Sequence, residues 1–332
     1  MELLTGGRTV NGRPGKRDTR RQRGVSLIEL LITIVVALLL LGGLIQVYLS
    51  NKQSYNAQEQ LARMQESGRF AMDLITGDLR RAGFWGGSVD LSRIENGTPG
   101  AVNPASHNCL ADNSWGRMIR WRVSGLDNQK GGYNCAANYD AGTASDILTI
   151  RYADPTPVVG AIPADGGLYL RDNTEAGVIM TGATAGDSDN MPPAVAGDAV
   201  AVEVRPLVSH AYYVGDSGRN CPNGDTITAL MRVRLDESTG LPVEEEIAPG
   251  VEHLEAQYLL GNQYVDADAI AGDQWLDVSA VRVWVLVRGE CVEQGLQNPT
   301  VYDMGDQTVG PDDIRRQLYV STVMLRNTVV GE

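Results

Sequence analysis

A single carboxylate, Glu29, opens a stretch of chain that has nothing to solvate it. Residues 30–51 carry no charge, and Thr33 and Gln46 are the strongly polar side chains before Leu49. A carboxylate at the head of such a run is costly in lipid. It marks a functional position unless it snorkels to the interface without a partner. Its chemistry is electrostatic: it can hold a cation that would be equally out of place alone. Gly24 and Val25 stand just before it, behind a basic cluster at Arg20, Arg21 and Arg23.

The other reactive side chains make weaker patterns. Cys109, Cys135, Cys221 and Cys291 are too widely spaced for a Cys-x-x-Cys metal or redox site. All four fall in the part of the chain that export would place in an oxidising compartment, so an even count reads as two disulfides. Four cysteines allow three pairings. Sequence proximity favours Cys109 with Cys135, which leaves Cys221 with Cys291; other pairings and free thiols stay open. His107, His210 and His253 sit in no His-Glu-x-x-His pattern, and no Gly-x-Ser-x-Gly elbow or Walker loop is present. Each histidine reads as a surface or core side chain with a satisfied hydrogen bond. Two loops, Gly186-Asp187-Ser188-Asp189-Asn190 and Val265-Asp266-Ala267-Asp268, carry oxygen ligands of the kind calcium takes. The second breaks EF-hand spacing at Ile270 and lacks a glycine at the sixth place, so both read as solvated turns. No catalytic residue, metal or cofactor is expected.

The elements that must position these groups follow from the pattern. About twenty helical residues span the roughly 30 Å of a bilayer's hydrocarbon core. The apolar run has that length and shows no polar face of 3.6-residue period, as a soluble core helix would. A cleaved secretory signal would be shorter, with a small-residue cleavage site after it. Residues 25–49 are therefore expected to be a transmembrane helix. Residues 1–24 hold seven of the 28 Lys and Arg and two of the 41 Asp and Glu, which leaves +5 on this leader and −18 beyond it. The positive end stays in the cytoplasm and the acidic bulk is exported. Such acidity argues against direct nucleic-acid contact, which wants a basic patch, and otherwise serves solubility.

Residues 50–83 continue the helix. They contain no proline, and Leu61, Met64, Gly68, Ala71, Ile75 and Leu79 recur at three- and four-residue steps. That stripe faces a globular domain, opposite Glu59, Arg63, Glu66, Arg69 and Asp73. Arg80, Arg81 and then Gly83 form a stop signal. Residues 84–332 turn β-rich, with strands expected at 146–152, 167–171, 199–205, 211–214, 226–235, 253–260, 278–288 and 317–326. Several alternate in the manner of half-buried antiparallel strands. Long polar inserts fall at 86–117, 181–197 and 261–274. The length suits one core, with an insertion lobe near 86–140. The class is α+β: a long N-terminal α-helix, its first half transmembrane, packed on an antiparallel β-sheet domain with long loops.

The order of basic leader, Gly24, Ser26-Leu27-Ile28-Glu29-Leu30-Leu31 and apolar helix resembles the class III signal of type IV prepilins and type II secretion pseudopilins. The resemblance implies that a membrane aspartyl peptidase cuts between Gly24 and Val25 and methylates the new amine of Val25. It also implies that Glu29 serves subunit assembly. Val25 stands where the family usually has Phe, and the leader is long for it. The physics fits: cleavage creates an α-amino cation, and Glu29 of a neighbouring subunit can neutralise it. Neither charge is tolerable alone in lipid, while the packed pair is. Gly42 and Gly43 lower helix propensity late in the span, for a bend or for close helix packing.

Four further segments are similar to the PilW type of minor pilin: FAMDLITGDLRRAGFWG (70–86), SDILTIRYA (145–153), LVSHAYYV (207–214) and RRQLYVSTVMLRN (315–327). The similarity implies a type IV pilin fold and a structural, non-enzymatic subunit. Such a subunit primes pilus assembly at the inner membrane and then sits at or near the fibre tip. The implied partners are other minor pilins, the major pilin, the prepilin peptidase, the inner-membrane assembly platform and, in some systems, a tip adhesin. The implied location is a single-pass inner-membrane protein with a cytoplasmic N-terminus and a periplasmic C-terminal domain, and then the pilus. A type II secretion pseudopilin is the near alternative. A membrane-tethered periplasmic enzyme or ligand-binding module is the alternative of another class; it needs an apolar anchor but neither Gly24 nor Glu29.

Overall fold

The computed structural model describes residues 24–87, 90–97, 113–173, 175–187, 202–292 and 295–327. The chain forms two compact units, Met1–Ala57 and Gln58–Glu332. In the first, the described chain enters helix α1, which runs Leu27–Arg81. Every described residue from 24 to 56 is exposed, the long run of Leu, Ile and Val included. Among the described residues α1 is the one helix long and apolar enough to cross a membrane.

In the second unit, the remainder of α1 buries a stripe of Met64, Ser67, Gly68, Ala71, Ile75, Thr76, Asp78 and Leu79. Leu61 is half-buried, and Glu59, Arg63, Glu66, Arg69 and Asp73 face outward. The 3.6-residue period that aligns small and apolar residues on one side decides which face packs. The helix stops because the Ala82 N–H closes the last turn on the Asp78 carbonyl at 2.9 Å and Gly83 then takes φ +75°. A side chain resists that left-handed conformation, and glycine does not.

Among the described residues fourteen strands follow. The first eight are β1 (Ile94–Glu95), β2 (Val123–Leu126), β3 (Ile147–Ala153), β4 (Leu168–Asp172), β5 (Gly177–Thr181), β6 (Glu203–Asn220), β7 (Thr226–Leu235) and β8 (Pro242–Pro249). They form an 8-stranded sheet in the order β1-β5-β4-β6-β3-β2, with β7 joining β6 to β8. The β1–β5 pair is parallel and the other pairs are antiparallel. A second, 4-stranded sheet combines β9 (Val251–Leu260), β10 (Gln263–Val265), β11 (Val278–Arg288) and β14 (Arg316–Met324) in the order β10-β9-β11-β14. A small hairpin of β12 (Tyr302–Met304) and β13 (Gln307–Val309) lies in the last long connection. This is an α+β architecture: a long helix with an antiparallel-rich sheet domain.

The strand β6 corrects the sequence reading. Two strands were expected there, at 199–205 and 211–214. One strand runs through instead. Its first part pairs with β4, its middle with β3 and its far half with β7. Pro206 costs no ladder bond because it offers only its carbonyl, which accepts the Asp154 N–H at 2.8 Å. Residues 199–201 lie outside the described residues.

The second correction is burial. The expectation of alternating, half-buried strands fails at β3, where all seven positions are buried, Thr149 and Arg151 included. Side chains between 115 and 133 share the core with it, Trp115 among them from the polar insert. Trp115, Met118, Trp121, Val123 and Tyr133 join the main core. Arg151 is tolerated inside because its Nη1 donates to the Trp121 carbonyl at 3.0 Å and its guanidinium lies 5.5 Å from the Trp115 ring centre. Burial still pulls its pKa down to about 10. The strand β11 is likewise covered twice. Val281, Val283, Val285 and Val287 face the main core, while Trp284 and Leu286 meet Met304 of the β12–β13 hairpin.

Candidate functional site

Gly24, Val25 and Glu29, expected from the sequence to serve cleavage and assembly, sit at the head of α1. Gly24, Val25 and Ser26 precede the helix, and the Ser26 carbonyl accepts the Leu30 N–H at 3.0 Å to close the first turn. Glu29 lies in that turn. A carboxylate there is favoured by the exposed N–H groups of the helix start. Thr33, the next polar side chain, satisfies itself by donating its Oγ1 to the Leu30 carbonyl at 2.7 Å. Glu29 has no ion pair or hydrogen bond among the described residues. It stands on an exposed apolar surface that includes Leu27, Leu30, Leu31 and Ile32. The residues of 1–23, including the basic cluster, lie outside the described residues.

A second polar centre fastens α1 to the sheet, and sequence reasoning missed it. Asp78 is 5% exposed, one turn from the helix end. Its Oδ1 accepts from Tyr152 Oη at 2.7 Å, and its Oδ2 accepts from His210 Nδ1 at 2.6 Å and Tyr212 Oη at 2.5 Å. A negative charge near a helix C-terminus is disfavoured by the helix dipole, and its burial adds a desolvation cost. The three donors offset both: burial pushes the Asp78 carboxyl up, yet the bonds from His210, Tyr212 and Tyr152 hold it below its ordinary value. The same burial, with Asp78 beside them, drives the Tyr152 and Tyr212 hydroxyls up, so both remain neutral donors. A signal was present in the sequence. Asp78 falls in register with Ala71 and Ile75, on the apolar stripe rather than the charged face.

Packing completes the dock. The Tyr319 ring of β14 rests directly on Gly68, where an added Cβ would fall inside the ring. At the other end of the helical stripe, Gly289 approaches Gln60 and Glu290 lies 3.6 Å from Arg63. The Cys221–Cys291 disulfide, with Cα atoms 5.7 Å apart, ties that loop to the region just past the end of β6. Cys135 is disulfide-bonded as well, while Cys109 lies outside the described residues.

Of the histidines, His210 is the Asp78 partner and His107 lies outside the described residues. The sequence reading fails in part at His253, whose Nδ1 is buried with no hydrogen-bond partner; burial lowers its pKa. In the Asp-rich loop at 186–190, only Gly186 and Asp187 are described.

An exposed apolar helix with an acid in its first turn, joined to an antiparallel-rich sheet domain, fits a membrane-anchored subunit of the pilin type. Comparison with known proteins narrows the kind. Residues 19–45 match the prokaryotic N-terminal methylation motif, and residues 211–327 match the family described as type IV pilus-assembly protein W. The two matches support a PilW-type class III prepilin, a minor pilin of a type IV pilus. Among solved structures, a type IV-like pilin from Thermus thermophilus is similar at 11% identity and a TM-score of 0.30. That match covers 57% of this chain and 82% of the other. No curated protein matches the chain.

Proposed function

We propose that this chain is a structural minor pilin that helps start pilus assembly at the inner membrane and sits at or near the fibre tip with other minor pilins. The observation that carries the reading is Glu29: an acid without a partner among the described residues, in the first turn of an exposed apolar helix. In an assembled bundle its counter-ion is the α-amino group of Val25 on a neighbouring subunit, freed by cleavage after Gly24. The chain enters the membrane with its basic leader in the cytoplasm and its globular unit in the periplasm. The helix face is lipid-embedded first and fibre core later. A non-enzymatic role fits a site whose chemistry is a charge pair, and the match over residues 211–327 favours a pilus over a secretion pseudopilus.

Two measurements test this. In a strain lacking the prepilin peptidase, the protein is expected to run larger by its leader; unchanged mobility would refute cleavage at Gly24. Replacement Glu29→Ala is expected to leave membrane insertion and the fold of the globular unit intact while the protein is lost from sheared fibres. Fibres that carry the variant at the normal level would end the assembly role.

A further inference from the structure

The edge strands of the two sheets are not equally protected. An edge strand presents unpaired backbone groups, and folded proteins shorten it, bend it or load it with charge and proline. Among the described residues β1, β2 and β10 are short. The strand β8 runs between Pro242 and Pro249, shifts register against β7, and carries Glu244, Glu245 and Glu246. The edge strand β14 has none of these devices along most of its length. It pairs with β11 over all 9 of its residues without a shift. Residues 318–324 (LYVSTVM) hold no charge, proline or glycine and are rich in β-branched and aromatic side chains.

The ladder fixes which backbone groups of β14 are free. In an antiparallel pair, opposed residues alternate between exchanging both hydrogen bonds and exchanging none. The Gly289 N–H donates to the Arg315 carbonyl at 2.8 Å, and the Leu325 N–H donates to the Ser279 carbonyl at 2.9 Å. Tyr319, Ser321 and Val323 fall in the same phase and bond β11. Leu318, Val320, Thr322 and Met324 fall in the other phase, so their N–H and C=O groups point away from β11. Arg316 shares that phase, and its carbonyl accepts from Tyr302 Oη at 3.0 Å, beside the β12–β13 hairpin. Past Leu318 that cover ends. Among the described residues, the outward groups from Leu318 to Met324 have no partner. The side chains beside them are open as well: Val320 is 53% exposed, Met324 70% exposed, and Thr322 lies exposed between them.

A regular row of unpaired N–H and C=O groups along an uncharged edge is the template for one more strand. Charge narrows what that strand is. Arg326 stands exposed just past the end of β14, and Arg69 of α1 is exposed and near enough for its charge to act on the Tyr319 hydroxyl. Neither makes an ion pair among the described residues, although the chain beyond residue 24 is strongly acidic. A second copy fits poorly. In the register that pairs two copies over residues 318–324, Leu318 faces Met324, and Arg326 of each copy then faces Arg316 of the other. Like charges opposed across strands destabilise a sheet. We propose that β14 is the docking edge for an extended segment of a different pilus subunit, which joins the 4-stranded sheet as a fifth strand. That segment sets apolar side chains beside Val320 and Met324 and brings carboxylates to Arg69 and Arg326. The proposal rests on the reading of this chain as a pilus subunit.

The test uses the full chain in the strain that produces it, with the native copy removed. Thr322→Pro deletes one outward N–H, and a proline at an edge position facing away from the ladder leaves the strand in place. Thr322→Val keeps that N–H. Ser321→Pro deletes an N–H that bonds β11 and should lower the amount of folded protein. Thr322→Pro should reach the wild-type level in the membrane yet fall at least about fivefold in sheared fibres, the worth of one net backbone hydrogen bond. Thr322→Val should enter fibres as the wild type does. Val320→Cys reads the cover directly, since the described residues hold no free cysteine to compete. A maleimide should label it in membranes of a strain lacking the other minor pilins, fail to label it in intact fibres, and label it again once the fibres are denatured. Normal incorporation of Thr322→Pro would overturn strand addition even if Val320→Cys is protected. Equal labelling in membranes and intact fibres would overturn docking at this edge altogether. Copies of Val320→Cys that cross-link to one another would overturn it in favour of a second copy. Wild-type protein missing from fibres would defeat the pilus reading itself, and this proposal with it.

Discussion

Asp78 gives the sharpest test of how the helix is fastened. Its three donors each bond an ionised acceptor, and such bonds contribute about 1.5–3 kcal/mol each to stability. Asp78→Ala leaves Tyr152, Tyr212 and His210 buried around a gap, each with a lost partner. Breaking a buried charged network in this way costs about 3–5 kcal/mol. Asp78→Asn keeps the shape and one acceptor oxygen. It weakens the two Oδ2 bonds to neutral strength and turns an N–H towards Tyr152, while it also removes the cost of burying a charge. The expected loss is about 2 kcal/mol. For a domain of this size those losses correspond to Tm drops of about 10 °C for Ala and about 5 °C for Asn. Urea unfolding of a fragment beginning at Gln58 reads both. The pH dependence has a fixed sign. The Asp78 carboxyl is held below its ordinary value in the fold, so its stabilisation is present above the unfolded carboxylate pKa and is lost as pH falls through the folded value. The gap between wild type and Asp78→Asn should therefore close below about pH 4, near the unfolded carboxylate value. An Ala variant costing less than about 1 kcal/mol, below the worth of a single such bond, would refute the reasoning.

Two further outcomes follow from the dock. Gly68→Ala gains about 1 kcal/mol of helix propensity but drives a methyl into the Tyr319 ring, and overpacking costs about 1–3 kcal/mol. The variant should be destabilised, and Gly68→Ala with Tyr319→Ala should recover part of the loss in the same urea assay. Replacing Cys221 and Cys291 by Ser opens a loop with a sequence separation of 70, which the chain-entropy relation values at about 4 kcal/mol. The protein should also become more sensitive to proteolysis between Gln60 and Arg63, where the tethered loop meets the helix; an unchanged digestion pattern would show that the loop holds itself in place.

Much of the fold was legible because it rests on period. The membrane-length run, the buried stripe from Met64 to Leu79, the stop at Gly83 and strands such as β7 and β11 are local patterns, and local backbone geometry decides them. The misses share a cause. Short strands such as β1, β5, β10, β12 and β13 have little period to read, and their pairing depends on neighbours far away in sequence. The strands expected at 199–205 and 211–214 are joined in β6, because the pairing in which Pro206 needs no N–H is tertiary. The full burial of β3 is tertiary as well: Arg151 donates to the Trp121 carbonyl and lies near the Trp115 ring, contacts that a strand pattern does not show.

By itself the sequence determined the assembly end of this protein. The roles we propose for Gly24, Val25 and Glu29 depend only on their spacing at the head of α1, and the uncharged run of membrane length that follows is a local pattern. Only the tertiary structure decided how the helix is held and which strand edge is left open. Asp78 meets Tyr152, His210 and Tyr212 across 74, 132 and 134 residues of chain. Contacts of that kind leave no local period, because their energy comes from burial and partner geometry that exist only after the sheets have closed.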